Sequence, residues 1–201
     1  MKWLDSLEEF GKKARLVAFK PLLKALTSLG MESNHISVLS LLSGVSMFYF
    51  LLQDKVAYSI ISLILFFFLD AVDGTLARYQ KKESDKGKFM DMITSSVTDT
   101  LLVLALIINN VVNSINGAVF VYLMLITIIF AIIIRNKGQE SDWMFHAKAG
   151  PLPHTPKILL YIFFILWGLG IINIVNELVF VSNVYLFALS LAYFAIIWRK
   201  Y

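Results

Sequence analysis

Apolar residues fill this chain in long blocks, with only brief polar breaks between them. Six blocks stand out, at 36–53, 56–78, 87–110, 117–135, 156–176 and 177–198. Each is long enough to cross a hydrocarbon core of about 30 Å, and in lipid a span must be a helix to satisfy its own backbone. Asn34 or Ser33 suits the N-cap of the first. The fifth and sixth blocks are parted only by Asn173, Asn176 and Glu177, which makes that boundary the weakest. Residues 1–30 follow a different pattern. Trp3, Leu7, Phe10, Ala14 and Val17 recur at steps of three or four, one face of a helix, with Lys12, Lys13 and Arg15 off it. Pro21 fits the first turn of a second short helix and Gly30 fits its stop. A basic amphipathic helix suits the membrane interface, the alternative being a helix packed on other protein. The segment has no continuous apolar stretch of the signal-peptide kind. The pattern predicts an all-α polytopic membrane protein. It has one domain over 1–201, with an interfacial helix in 1–30 and a bundle of six transmembrane helices in 36–198.

Composition agrees. The 201 residues are 58% hydrophobic and 16% charged, where soluble domains average about 25% charged. An ordinary soluble domain and a disordered chain are both excluded. There is no cysteine, hence no disulfide, thiolate metal site or cysteine nucleophile. A net charge of +4 is too small to imply a nucleic-acid partner. The positions of the bases say more. In a six-span chain, 17 of the 18 Lys and Arg fall on one side and only Lys55 on the other. The positive-inside rule then puts both termini in the cytoplasm. The longest polar stretch, 136–157, carries Pro151, Pro153 and Pro156 and is expected as a cytoplasmic loop.

Acids within spans are costly and mark function. Asp70 and Asp73 end the apolar run of the second block and share one helix face. Asp91 lies one turn into the third block, and Asp99 two turns deeper. A short basic loop joins the two blocks, so Asp70, Asp73 and Asp91 converge near the cytoplasmic end. Three such carboxylates repel unless a cation neutralises them, and all-oxygen ligands favour Mg²⁺, Mn²⁺ or Ca²⁺. Pairing with nearby Lys or Arg is the alternative. Gly74 and Ala77 are small residues that let a ligand approach the backbone, and Arg78 suits a phosphate. Together they describe a site for a diphosphate-linked nucleotide.

These residues resemble a known signature. Asp70-Ala-Val-Asp73-Gly74-Thr-Leu-Ala77-Arg78, then eight residues, Gly87, three residues and Asp91 is similar to the pattern D-x2-D-G-x2-A-R-x8-G-x3-D-x3-D of the CDP-alcohol phosphotransferases. Every fixed position matches except the last. Asn34-His35-Ile36-Ser37 also resembles the family's Asn-x-Ile-Thr start of the first span. The resemblance implies that Asp70, Asp73 and Asp91 bind a pair of Mg²⁺ or Mn²⁺ ions. It implies nucleotide binding by Asp70, Asp73, Gly74, Ala77, Arg78, Gly87 and Asn34. It implies transfer of a phosphatidyl-type group from a CDP-lipid to a small or lipid alcohol, releasing CMP, in phospholipid biosynthesis. It further implies a homodimer in a prokaryotic plasma membrane, with the site facing the cytoplasm.

The last Asp of the signature falls at position 95, which is Ser95. The family's residue there helps bind the second metal and acts as general base, and a serine is a poor base. Three carboxylates against two divalent cations leave a net positive charge, so the second ion is expected to bind weakly without nucleotide. Asp99 lies about 6 Å further along the helix, too far to substitute without distortion. The alternatives are an impaired or inactive member, natural or engineered at position 95, that binds CDP-lipid and metal, and an active one with another base. A cation or proton transporter is disfavoured, because the acids cluster at one hairpin. On the acceptor side, Arg135, Lys148 and Lys157 face the same region, and members with phosphorylated acceptors use bases hereabouts. Ordinary positive-inside anchoring accounts for them equally. His35, His146 and His154 show no ligand spacing, and Trp3, Trp143, Trp167 and Trp198 suit interface anchoring.

Overall fold

Long apolar runs give long helices, and several turns between them carry left-handed backbone, at Asp54, Lys81, Asn110 and Gly170. The computed structural model describes residues 10–11, 13–137 and 151–200. Residues 13–18 are helical, followed by α1 (Lys20–Ser28), α2 (Ser33–Leu52), α3 (Val56–Tyr79), α4 (Asp85–Ile108), α5 (Ser114–Lys137), α6 (Pro151–Gly168) and α7 (Val175–Lys200). Among the described residues there is no strand. Four helical stretches are long and apolar enough to cross a membrane: Ser33–Leu52, Val56–Tyr79, Phe89–Ile108 and Val175–Arg199. Two apolar stretches are shorter, Ser114–Phe130 and Pro156–Gly168.

Several boundaries differ from the sequence reading. The cap of α2 is Glu32, and its main-chain N–H donates to His35 Nδ1 at 3.0 Å. Ser33 and Asn34 lie inside the first turn. The fifth block stops at Gly168 rather than 176, because Gly170 takes φ +72° and its N–H returns to the Trp167 carbonyl at 2.8 Å. Hydropathy alone could not see that stop, since Leu169, Ile171 and Ile172 continue the apolar run. In the expected loop 136–157, α6 already starts at Pro151. Lys148, Trp143, His146 and Trp3 lie outside the described residues, as do the side chains of Arg135 and His154.

The chain divides into two units, Met1–Leu101 and Leu102–Tyr201. In the first, α2 and α3 form an antiparallel hairpin joined by Gln53–Lys55, with Asp54 at φ +55°. Three hydroxyl-to-carbonyl bonds pin its register: Ser59 Oγ to Met47 O at 3.0 Å, Ser40 Oγ to Phe66 O at 3.4 Å and Ser33 Oγ to Asp73 O at 3.0 Å. The contacts recur every seven residues on both helices, the repeat of a left-handed helix pair. Gly44 lets α4 approach, since a Cβ there would overlap the Thr98 hydroxyl. Leu23 of α1 is fully buried with Ile36, Val72 and Leu76, and Leu16, Phe19, Leu22 and Leu26 pack around them. The N-terminal segment therefore has one face on protein. The stripe read from the sequence is another face, with Phe10 70% and Val17 74% exposed.

In the second unit α7 packs against α5 and α6. Asn176 Oδ1 accepts the Asn113 N–H at 2.9 Å and Asn116 Nδ2 at 3.2 Å, and Asn183 Nδ2 donates to Asn116 O at 2.8 Å. Further along, Thr127 Oγ1 and Ser190 Oγ lie 3.1 Å apart. Asn176, Asn183 and Ser190 are again seven apart, and α5 and α7 run parallel. In both units polar residues such as Ser40, Ser59, Thr127 and Ser190 are buried, while Leu42, Tyr49, Ile61, Phe180 and Phe187 face outward. That is the arrangement of a protein whose solvent is lipid.

Candidate active site

Three acidic side chains meet at one end of the first unit. Asp70 and Asp73 stand one turn apart near the end of α3, and Asp91 lies in the second turn of α4. One carboxylate oxygen from each lies within 4.8 Å of the others. Asp73 is buried, Asp70 half-buried and Asp91 exposed. Ligand oxygens of a divalent cation sit about 2.0–2.6 Å from it, so oxygens on opposite sides are about 4–5 Å apart. The observed spacing fits such an ion.

The neighbours of Asp73 hold it in place. Ser37 Oγ donates to Asp73 Oδ2 at 2.7 Å, and Ser33 Oγ takes the Asp73 carbonyl. The start of α2 thus fixes both the backbone and the carboxylate of the residue opposite. Beside them opens a cavity of about 250 Å³. Asn34, Asp73, Gly74, Ala77, Arg78, Gly87 and Asp91, all singled out from the sequence, line it. A methyl group at Gly74 would meet only the Arg78 guanidinium, at 3.8 Å. Packing within the chain therefore does not demand glycine there, and its lack of a side chain keeps the cavity floor open. Gly87 donates its N–H to Ser84 Oγ at 3.1 Å, the cap of α4. Arg78 donates from Nη2 to Thr75 Oγ1 at 3.2 Å, while its Nε is buried with no hydrogen-bond partner among the described residues.

Other expected residues stand elsewhere. Asp70 belongs to the carboxylate trio but does not line the cavity. Ser95 is half-buried one turn beyond Asp91 and is also outside the lining. Asp99 is buried deeper in α4 and does not join the trio. Lys157 is half-buried on α6 in the second unit. The lining also holds residues that sequence reasoning passed over, among them Glu32, Gln80, Lys82 and Ser84. Lys82 Nζ meets Glu32 Oε1 at 2.6 Å. That hydrogen bond and the Lys82 charge hold the Glu32 carboxyl below its ordinary range. Ser37 carried one faint signal, a hydroxyl one turn after Asn34.

Residues 31–197 match the family described as CDP-alcohol phosphatidyltransferase, a range that contains every residue of the cavity and the carboxylate trio. The chain belongs to this family. Over 91 residues, 45% of the chain, this phosphatidyltransferase-family protein is 32% identical to the archaetidylinositol phosphate synthase of Pyrococcus horikoshii. The match covers 48% of that protein, so the chain spans about half the length of the curated relative it matches. No solved structure matches. The family uses divalent metals, and the carboxylate trio of this member is chemically suited to one.

Proposed function

We propose that this chain transfers a phosphatidyl-type group from a CDP-lipid to an alcohol, releasing CMP, as a step of phospholipid biosynthesis. The observation that carries the reading is the carboxylate trio, its oxygens within 4.8 Å, beside a cavity with an unpartnered arginine N–H. Asp70, Asp73 and Asp91 would hold Mg²⁺ or Mn²⁺. When bound, such ions offset diphosphate charge and stabilise the leaving CMP. Ser37 keeps the Asp73 carboxylate aimed at the trio, and the hydroxyl of Ser33 keeps its backbone in register. Gly74 and Ala77 leave room for the nucleotide, and Asn34 and Gly87 border it. Arg78 offers its buried N–H to a phosphate oxygen. In the transfer the acceptor hydroxyl oxygen bonds to the lipid-bearing phosphorus, the bond from that phosphorus to CMP breaks, and the hydroxyl proton leaves to a base.

Position 95, where the family signature has its last Asp, supplies no strong base in this chain. That favours a second reading, a slow or inactive member that binds CDP-lipid and metal. The name of the Pyrococcus relative makes an archaeol-type CDP-lipid and inositol phosphate the first donor and acceptor to assay. Arg135, Lys148 and Lys157 are proposed to serve a phosphorylated acceptor.

We place six spans in the membrane, the site and both termini on the cytoplasmic side, and residues 1–30 at the interface. Support comes from the antiparallel α2–α3 hairpin and from the parallel α5 and α7, which require α6 to cross between them. A homodimer in a prokaryotic plasma membrane follows from the family resemblance. The test is CMP release from CDP-lipid with Mg²⁺ or Mn²⁺ and a panel of alcohols, for the wild-type chain and Ser95→Asp. Ser95→Asp should raise the rate at least about tenfold, a modest share of what a general base supplies. An unchanged rate with normal folding and metal binding rejects the missing base. No release from either chain leaves the binding reading.

A further inference from the structure

The lining of the cavity includes an ion pair, Lys82 with Glu32. α3 ends in a left-handed turn: Lys81 takes φ +54°, its N–H returns to Arg78 O at 3.1 Å, and the Lys82 N–H returns to Ala77 O at 2.9 Å. Such a turn reverses the chain, so Lys82 reaches back over the helix end to Glu32, the cap of α2. Gln80 fastens the same turn from inside, donating from Nε2 to Met31 O at 2.9 Å. The two straps differ in kind. The Gln80 bond is half-buried and neutral, whereas Lys82 and Glu32 are 62% and 49% exposed, so water already competes for their pairing.

Both members of the pair line the cavity, and so does Arg78. Lys82 and Arg78 are the cations of that lining, against Glu32, Asp73, Glu83 and Asp91. Asp73 and Asp91 belong to the trio suited to a cation. Arg78 already has an N–H without an acceptor. Of the two described cations, Lys82 is the compact charge on a flexible stem, and its partner is a solvated carboxylate. A phosphate monoester carries up to twice the charge of that carboxylate and three acceptor oxygens, and a CDP-linked diphosphate carries one charge on each of two adjacent phosphates.

We propose that Lys82 is a phosphate-binding residue of this site, held on Glu32 until a substrate phosphate displaces that carboxylate. The proposal rests on reading the cavity as the nucleotide site. The phosphate comes either from the CDP-linked donor or from a phosphorylated acceptor, and the same lysine chemistry serves both. In either case Glu32 is a competitor for Lys82, so removing the two residues has opposite effects. A pair that only braces the turn would give effects of the same sign.

The experiment is calorimetric titration of the purified full-length chain in Mg²⁺ with CDP, with cytidine, and with inositol phosphate after saturation with CDP. Wild type, Lys82→Gln, Glu32→Gln and the double variant are compared, with thermal melting as the folding control. If Lys82 holds the donor, Lys82→Gln weakens CDP binding about tenfold and Glu32→Gln strengthens it about threefold, within the range of a charge-assisted hydrogen bond. Cytidine is unaffected. If it holds the acceptor, the same opposite pair of changes appears with inositol phosphate instead. Changes of the same sign, or none with either phosphate ligand, overturn the proposal while the site reading stands. Absence of CDP binding by the wild-type chain overturns the site reading and this proposal with it.

Discussion

Ser37 acts on Asp73 from 36 positions away in sequence, and its hydroxyl links α2 to the carboxylate trio at 2.7 Å. A hydrogen bond to a charged group contributes about 1.5–3 kcal/mol, so losing it where the acceptor is buried is felt at the acceptor. Ser37→Ala frees Asp73 Oδ2 and lets the carboxylate turn away from Asp70 and Asp91. The expected outcome is about a tenfold loss of Mn²⁺ affinity, equivalent to about 1.4 kcal/mol, read by paramagnetic titration of the purified chain. Ser37→Thr keeps the donor and should stay near wild type. Equal loss in both variants would point to packing rather than the hydrogen bond. The trio itself was legible in the sequence, because acids three apart on an apolar helix have one face to share. The pairings of Ser37 with Asp73 and of Lys82 with Glu32 were not, because the partners lie 36 and 50 positions apart. Local spacing carries no record of such contacts.

At the scale of elements, the site depends on the register of three helices. The serine contacts at seven-residue steps fix α2 against α3, so the cap of α2 arrives opposite Asp73 rather than a turn above or below it. Depth on α4 is set by Gly44, where a side chain would collide with Thr98. Gly44→Ala should therefore push α4 outward and cost about 1–3 kcal/mol, the usual range for overpacking, with Asp91 displaced from the trio. Thr98→Ala removes the hydroxyl and methyl that the new Cβ would strike, leaving the residue-98 Cβ at 3.2 Å. The double variant should recover most of the loss in thermal melting and in Mn²⁺ binding. A double variant no better than Gly44→Ala would rule out this contact as the cause. The helical nature of the blocks was readable from their length, whereas the early end of α6 was not. An apolar run does not announce that Gly170 will turn left-handed within it.

Within each unit, among the described residues, hydroxyls and amides share a largely apolar interior between helices, while further Phe, Leu and Ile cover the outer faces. With lipid as solvent, the distribution of bases sets orientation. The absence of cysteine makes this simple to check, since single cysteines can be added without first removing any. In intact cells or sealed vesicles, Lys82→Cys and Lys24→Cys should be protected from a charged thiol reagent added outside. Lys55→Cys and Asn110→Cys, in the turns after α2 and α4, should react. Labelling of Lys82→Cys from outside would invert the proposed orientation.

Among the described residues, the cavity draws its lining from Glu32 to Asp91. A ribosome works from the N-terminus, so every one of those residues is made before Leu102, where the second unit begins. The half of the chain that carries the cavity and the carboxylate trio is thus complete in the nascent polypeptide while the other half is still unwritten. Membrane insertion therefore begins with the segment that also carries the cavity and the carboxylate trio.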